Sequence, residues 1–149
     1  MGDFFGRISE RILIMQRKLR SVLLVDDDKI TNFLHQMLLE ELEVTEHIDT
    51  ASDGEAALHK LEEACKLDAT AAKCPEVVFL DLNMPRMDGF DFLEAFYRMD
   101  LGEAPPVHII VLTSSNNVQD MKKAKSYQID GYIDKPLTQE KIELVLADI

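Results

Sequence analysis

Short apolar runs rich in β-branched residues recur along this chain. The runs are Val22–Val25, a weaker Ile48–Ala51, Val77–Leu80, and the stretches 107–112 and 132–133. Between them lie segments with helical spacing. Ile30, Phe33, Leu34, Met37, Leu38 and Leu42 recur at steps of three and four, which predicts a helix with one apolar face. Ala56, Ala57, Leu58 and Leu61 predict a second helix, and Phe90, Leu93 and Tyr97 a third. The more polar stretch 116–127 predicts a fourth, and Ile142, Val145, Leu146 and Ile149 a fifth. Strand alternating with helix implies a parallel sheet covered by helices on both faces. Right-handed crossovers leave few topologies.

A chain of 149 residues is the size of one domain and long enough to bury a core. No internal repeat or linker interrupts it, and no apolar run is long enough for a membrane span. The first twenty residues have neither the apolar stretch nor the cleavage site of an export signal, so a cytoplasmic location is expected. Cys65 and Cys74 are then expected to be reduced thiols. Net charge is −12; residues 1–20 carry five basic and two acidic side chains, a net of +3, leaving −15 on the rest. An acidic body argues against direct nucleic-acid binding and is compatible with a divalent cation.

The chemistry gathers at strand ends. Asp26, Asp27 and Asp28 follow the first run, and Asp81 follows the third. Sites in open parallel sheets form beyond the carboxyl ends of strands, where the strand order reverses. Carboxylates that close repel one another, and a hard divalent cation relieves the repulsion. The spacing is wrong for an EF-hand loop. Thr113 ends the fourth strand with a hydroxyl, and Lys135 ends the fifth with an ammonium. Carboxylate, hydroxyl, ammonium and cation together suit phosphoryl transfer through an aspartyl-phosphate. Singly, each residue has a plainer role: Asp28, Asp53 and Thr113 as helix caps, Asp88 as a turn residue before Gly89, Lys135 as a surface charge. The ordered set carries the inference.

The segments SVLLVDDDKITNFL, VVFLDLNMPRMDGFDFL, HIIVLTSS and DGYIDKPL resemble the receiver domain of bacterial response regulators over about residues 21–147. The resemblance implies a flavodoxin-like, doubly wound, five-stranded parallel sheet of order 2-1-3-4-5. Asp81 then matches the phosphoacceptor. Asp26 and Asp27 match the Mg²⁺-binding pair, Asp27 directly and Asp26 through water, and Asn83 supplies a backbone carbonyl. Thr113 and Lys135 match the phosphate-binding residues, and Tyr132 the aromatic switch residue that turns inward. Met84, Pro85 and Gly89 match the loop after the phosphoacceptor, and Lys135–Pro136 is expected to be cis. The partners implied are a sensor histidine kinase or phosphotransfer protein and a downstream protein. Catalysis would be confined to the domain's own phosphorylation and dephosphorylation.

The interval from Asp53 to Asp81 is longer than usual for the family, Ser114 stands where Ala or Gly is common, and the last helix is short. No output domain follows, which points to a stand-alone receiver at 21–149 behind a basic extension at 1–20. Two readings of the extension stay open: a disordered tail, or an amphipathic helix with Phe4, Phe5, Ile8, Ile12 and Met15 on one face. Two rivals share the residue types. A haloacid-dehalogenase-type phosphohydrolase would place its nucleophilic Asp first and its acidic pair last, the reverse of the order here. A phosphorylation-independent interaction module predicts loss of a site residue, and none is lost.

Overall fold

The computed structural model describes residues 18–66, 73–114 and 118–149. The expected amphipathic segment at 4–15 lies outside the described residues. Five strands and five helices alternate: β1 (Val22–Val25), α1 (Lys29–Glu41), β2 (Ile48–Ala51), α2 (Gly54–Lys66), β3 (Val77–Leu80), α3 (Gly89–Arg98), β4 (His108–Thr113), α4 (Val118–Lys125), β5 (Gly131–Asp134) and α5 (Gln139–Asp148). All pairings are parallel, in the order β2-β1-β3-β4-β5. The order reverses between β1 and β3, so the crevice lies where the sequence places its carboxylates.

Successive strand residues point to opposite faces, and the core divides accordingly. Val22, Leu24, Phe79 and Leu112 pack with Leu39 of α1 and Ile142 and Leu146 of α5. Leu23, Val25, Val78 and Leu80 pack with Ala57 and Leu61 of α2 and Phe92 and Leu93 of α3. Fully burying one such Leu, Ile or Phe side chain contributes about 1.5–3 kcal/mol. These two apolar layers hold the sheet and hence the strand ends. The sheet's body begins slightly before β1. Leu19 is buried and bridges Thr45, and Arg20 donates to the carbonyls of Cys74 and Pro75.

Helix starts follow the local chemistry. The Asp28 side chain accepts from Ile30 N–H and caps α1. Asp88 and Asp91 form a reciprocal capping box on α3. Asp53 accepts from Ala56 N–H, as expected of a cap.

Two expectations are corrected. The apolar stripe of α1 is not its buried face: Ile30, Phe33, Leu34 and Met37 are 71%, 61%, 55% and 50% exposed. The side facing the sheet carries Asn32, His35 and Leu39, with Leu38 and Leu42 partly buried beside them. Helical spacing finds a stripe but cannot say which stripe meets the sheet. The second correction concerns the thiols. Cys65 and Cys74 form a disulfide with their Cα atoms 4.6 Å apart, joining the end of α2 to the chain entering β3. Compartment bears on thiol state in general, whereas this pairing depends on a separation that the fold sets.

An acidic pocket at the carboxyl ends of the strands

Strand register converts the scattered carboxylates into one cluster. Val25 lies opposite both Ala51 and Leu80, so Asp26 and Asp81 emerge side by side. The ladder extends one step beyond the strands, because Asp26 N–H donates to Ala51 O at 3.0 Å and Asp81 N–H to Val25 O at 2.9 Å. Carboxylate oxygens of Asp26, Asp27 and Asp81 lie within 4.8 Å of one another, with Asp26 and Asp81 buried and Asp27 facing solvent.

Lys135 reaches in from the neighbouring edge. Its backbone N–H donates to Thr113 O at 2.9 Å. Its Nζ lies 2.6 Å from Asp26 Oδ2 and 3.2 Å from Asp81 Oδ2. Burial pulls the ammonium's pKa down, but the Asp26 hydrogen bond and the two carboxylate charges outweigh this and hold it above its ordinary value. Asp81 is pushed up from the usual carboxylate range. Burial is the main cause, reinforced by the Asp26 charge and opposed by the Asn83 N–H and by Lys135. One ammonium among three carboxylates leaves an excess of negative charge on hard oxygen donors, with the exposed Asp27 on the open side. That donor set fits a hard divalent cation such as Mg²⁺.

The remaining residues singled out from the sequence line the same end of the sheet. Thr113 is fully buried, and its Oγ1 accepts from Asn83 Nδ2 at 3.4 Å. Asn83 N–H donates to Asp81 Oδ1 at 3.2 Å. Lys135–Pro136 is cis. Tyr132 is half-buried on β5, and its hydroxyl is enclosed with no hydrogen-bond partner among the described residues. Gly89 serves the site by close approach and not by a positive φ. A Cβ there would lie 2.7 Å from Leu82 Cα and 2.8 Å from Asp81 O.

Sequence reasoning missed two residues behind the pocket. Asn32 Nδ2 donates to Asp26 O at 3.0 Å and Ala51 O at 3.2 Å. His35 Nε2 accepts from Leu137 N–H at 3.3 Å. The available signal was a pair of polar residues three apart, one helical face, within an otherwise apolar helix.

This doubly wound sheet with an acidic pocket at its switch point, a lysine and a buried threonine defines a phospho-receiver class of domain. The family model for the response regulator receiver domain matches residues 22–147, so the chain belongs to that family. It is 32% identical to the chemotaxis protein CheY of Halobacterium salinarum, over 87% of this chain and 96% of that protein. It is equally 32% identical to the probable methanogenesis regulatory protein FilR2 of Methanothrix harundinacea, over 86% and 79%. A two-component response regulator from Cytophaga hutchinsonii superposes with a TM-score of 0.77 at 31% identity, covering 88% of this chain and 96% of that one. The domain is thus a receiver of the phosphorelay class. Among the described residues, no helix is long and apolar enough to cross a membrane.

Proposed function

We propose that the domain takes a phosphoryl group from a phosphohistidine onto Asp81 and signals by altered protein binding, in the cytoplasm, with no catalysis beyond its own phosphorylation and dephosphorylation. The observation that supports this best is the convergence of Asp26, Asp27, Asp81 and Lys135 on one partly open pocket. Asp26, Asp27, Asp81 and the Asn83 carbonyl are the candidates to hold Mg²⁺, which would supply positive charge against the phosphoryl oxygens. A carboxylate oxygen of Asp81 attacks phosphorus in line, the O–P bond forms, and the N–P bond to the donor imidazole breaks. Lys135, already between the two buried carboxylates, turns its ammonium to the transferred phosphoryl oxygens. Thr113 then donates its hydroxyl to them, and Tyr132 follows inward. Hydrolysis of the acyl-phosphate by water resets the domain. The beryllium fluoride complex of CheX and CheY from Borrelia burgdorferi, 26% identical with a TM-score of 0.68, holds Mg²⁺ and a partner protein.

Attachment and readout separate by substitution. Thr113→Ala should still take label from acetyl phosphate within about tenfold of the wild-type rate, because the hydroxyl is not the nucleophile. Beryllium fluoride should no longer shift the NMR resonances of β5 around Tyr132 in that variant. Full wild-type shifts would remove Thr113 from the switch.

The exposed stripe Ile30, Phe33, Leu34 and Met37 begins one turn beyond the acidic residues and gives a phosphodonor protein an apolar landing beside the pocket. Phe33→Glu should lower transfer from a phosphorylated donor protein by about tenfold or more, as expected for a central apolar anchor. Labelling by acetyl phosphate should be unchanged, and equal loss with both donors would contradict a docking role.

A further inference from the structure

We propose that His35 is a positioning residue for the phosphoryl chemistry: its Nε2 anchors the backbone N–H of Leu137 and thereby holds the loop carrying Lys135 against α1. The proposal rests on the reading of Asp81 as phosphoacceptor and Lys135 as its cationic partner.

His35 is 4% exposed, on the side of α1 that otherwise packs Leu39 against the core. A buried imidazole costs desolvation unless it is hydrogen-bonded, and an apolar side chain would fill the space without that cost. The compensating bond joins residues 102 apart in sequence, from Leu137 N–H to His35 Nε2 at 3.3 Å. Accepting an N–H requires Nε2 to be unprotonated, so the imidazole is neutral with its proton on Nδ1. Burial, the largest influence, pulls the His35 pKa below its ordinary value, in keeping with the neutral form; the nearby Asp26 opposes this and Lys135 reinforces it.

The bond matters because of what lies around Leu137. Lys135 is fixed on one side by its own N–H, which donates to Thr113 O on β4. On the other side, Leu137 N–H is fixed to α1. Lys141 Nζ ties the Asp134 and Pro136 carbonyls from within the same segment, at 2.8 and 3.1 Å. The loop is therefore held between β4 and α1. Helix α1 itself starts from the turn that carries Asp26, whose carbonyl Asn32 holds one helical turn before His35. The ammonium's resting place is set by side-chain ion pairs to Asp26 and Asp81. When a phosphoryl group arrives, those pairs must rearrange, and the His35 bond keeps the backbone from following. Without it, a buried N–H loses its partner and the segment carrying the lysine loses this tie to α1.

The test compares His35→Leu with His35→Gln in the full chain, well below the melting temperature of each. A glutamine amide oxygen can stand near the place of Nε2 and accept the same N–H. Initial rates of labelling by acetyl phosphate at saturating Mg²⁺, Mg²⁺ affinity and melting temperature are measured. His35→Leu should label about tenfold more slowly, the scale expected when a charged group is misplaced by a fraction of an ångström. Its Mg²⁺ affinity should stay within about threefold, because no metal-binding candidate is tied to Leu137. His35→Gln should recover most of the rate. Equal rates in the two variants, fast or slow, would reduce His35 to packing and overturn the proposal. A second measurement needs no variant: ¹⁵N NMR of the imidazole at neutral pH should report the Nδ1–H tautomer, and an Nε2–H or charged ring would also overturn it. Asp81→Asn serves as a control. If it labels like the wild type, the reading of the phosphoacceptor fails, whatever the His35 variants do.

Discussion

Replacing Asp81 by asparagine is expected to reduce phosphoryl uptake from acetyl phosphate to background while leaving a folded, slightly more stable protein. The amide is close in size to the carboxylate but cannot attack phosphorus. The other acidic residues do not substitute. Asp26 is engaged at 2.6 Å by Lys135, Asp28 caps α1, and Asp88 caps α3. The stability change follows from proton linkage. Burial raises the Asp81 pKa above its ordinary 3.8, so the folded state binds more protons than the unfolded state between 3.8 and the raised value. Stability therefore falls as pH rises through that window, and the metal-free protein carries the full penalty above it. Asparagine removes the penalty, and Lys135 retains Asp26 as a partner. In chelator at neutral pH, a higher melting temperature than that of the wild type is expected. The gain should vanish below pH 3.8, where the carboxyl is neutral in both states. Radiolabelling and thermal scans with and without chelator check both halves. Label on Asp81→Asn at the wild-type rate would refute the assignment.

Asp27→Ala should separate the metal from the fold. The side chain faces solvent, and its carboxylate lies with those of Asp26 and Asp81 inside 4.8 Å. Removing it costs little packing but takes one anionic oxygen donor from a cation that usually keeps only one or two. Mg²⁺ affinity should fall by about 30-fold or more, and labelling should fail at Mg²⁺ concentrations that saturate the wild type. Calorimetric titration measures the affinity directly. Thermal shifts give a second reading, since Mg²⁺ at 100 times its Kd stabilises the folded state by about 2.7 kcal/mol. At the same concentration, that stabilisation should fall to about 0.9 kcal/mol or less in Asp27→Ala. An unchanged affinity would remove Asp27 from the metal site.

How much of this was legible in the sequence varies by element. The apolar runs at Val22–Val25, Ile48–Ala51 and Val77–Leu80 match β1, β2 and β3 residue for residue. β4 begins and ends one residue later than its run, and β5 is two residues longer. Strand ends are poorly marked where the next residue is polar, as Thr113 and Asp134 are. The strand order came from the resemblance, since short apolar runs carry no record of their neighbours. The convergence of Asp26, Asp27 and Asp81 followed once that order was assumed. What stayed hidden depends on contacts across long sequence separations. The His35 bond spans 102 residues, the buried side of α1 is set by the sheet beneath it, and the cysteine pair is set by two segments meeting. The sequence pattern marks Gly89 as a turn residue, but its need is steric, against the backbone of Asp81 and Leu82.

The enclosed phenol of Tyr132 has a consequence for how hard the domain is to switch. Hiding an unpaired hydroxyl costs about 1–3 kcal/mol. Partly hiding the ring beneath it gains a comparable amount, a fraction of the about 1.5–3 kcal/mol of full burial. With the two contributions nearly cancelling, holding this side chain in its place adds little to the stability of the fold. A tenfold preference one way is inverted to tenfold the other way by about 2.7 kcal/mol of differential binding. One or two charge-assisted hydrogen bonds to a new phosphoryl group are enough for that. A tyrosine hydroxyl with no partner among the described residues holds its ring weakly in place, so under the proposed switch role of Tyr132 a single phosphoryl group is enough to shift the population.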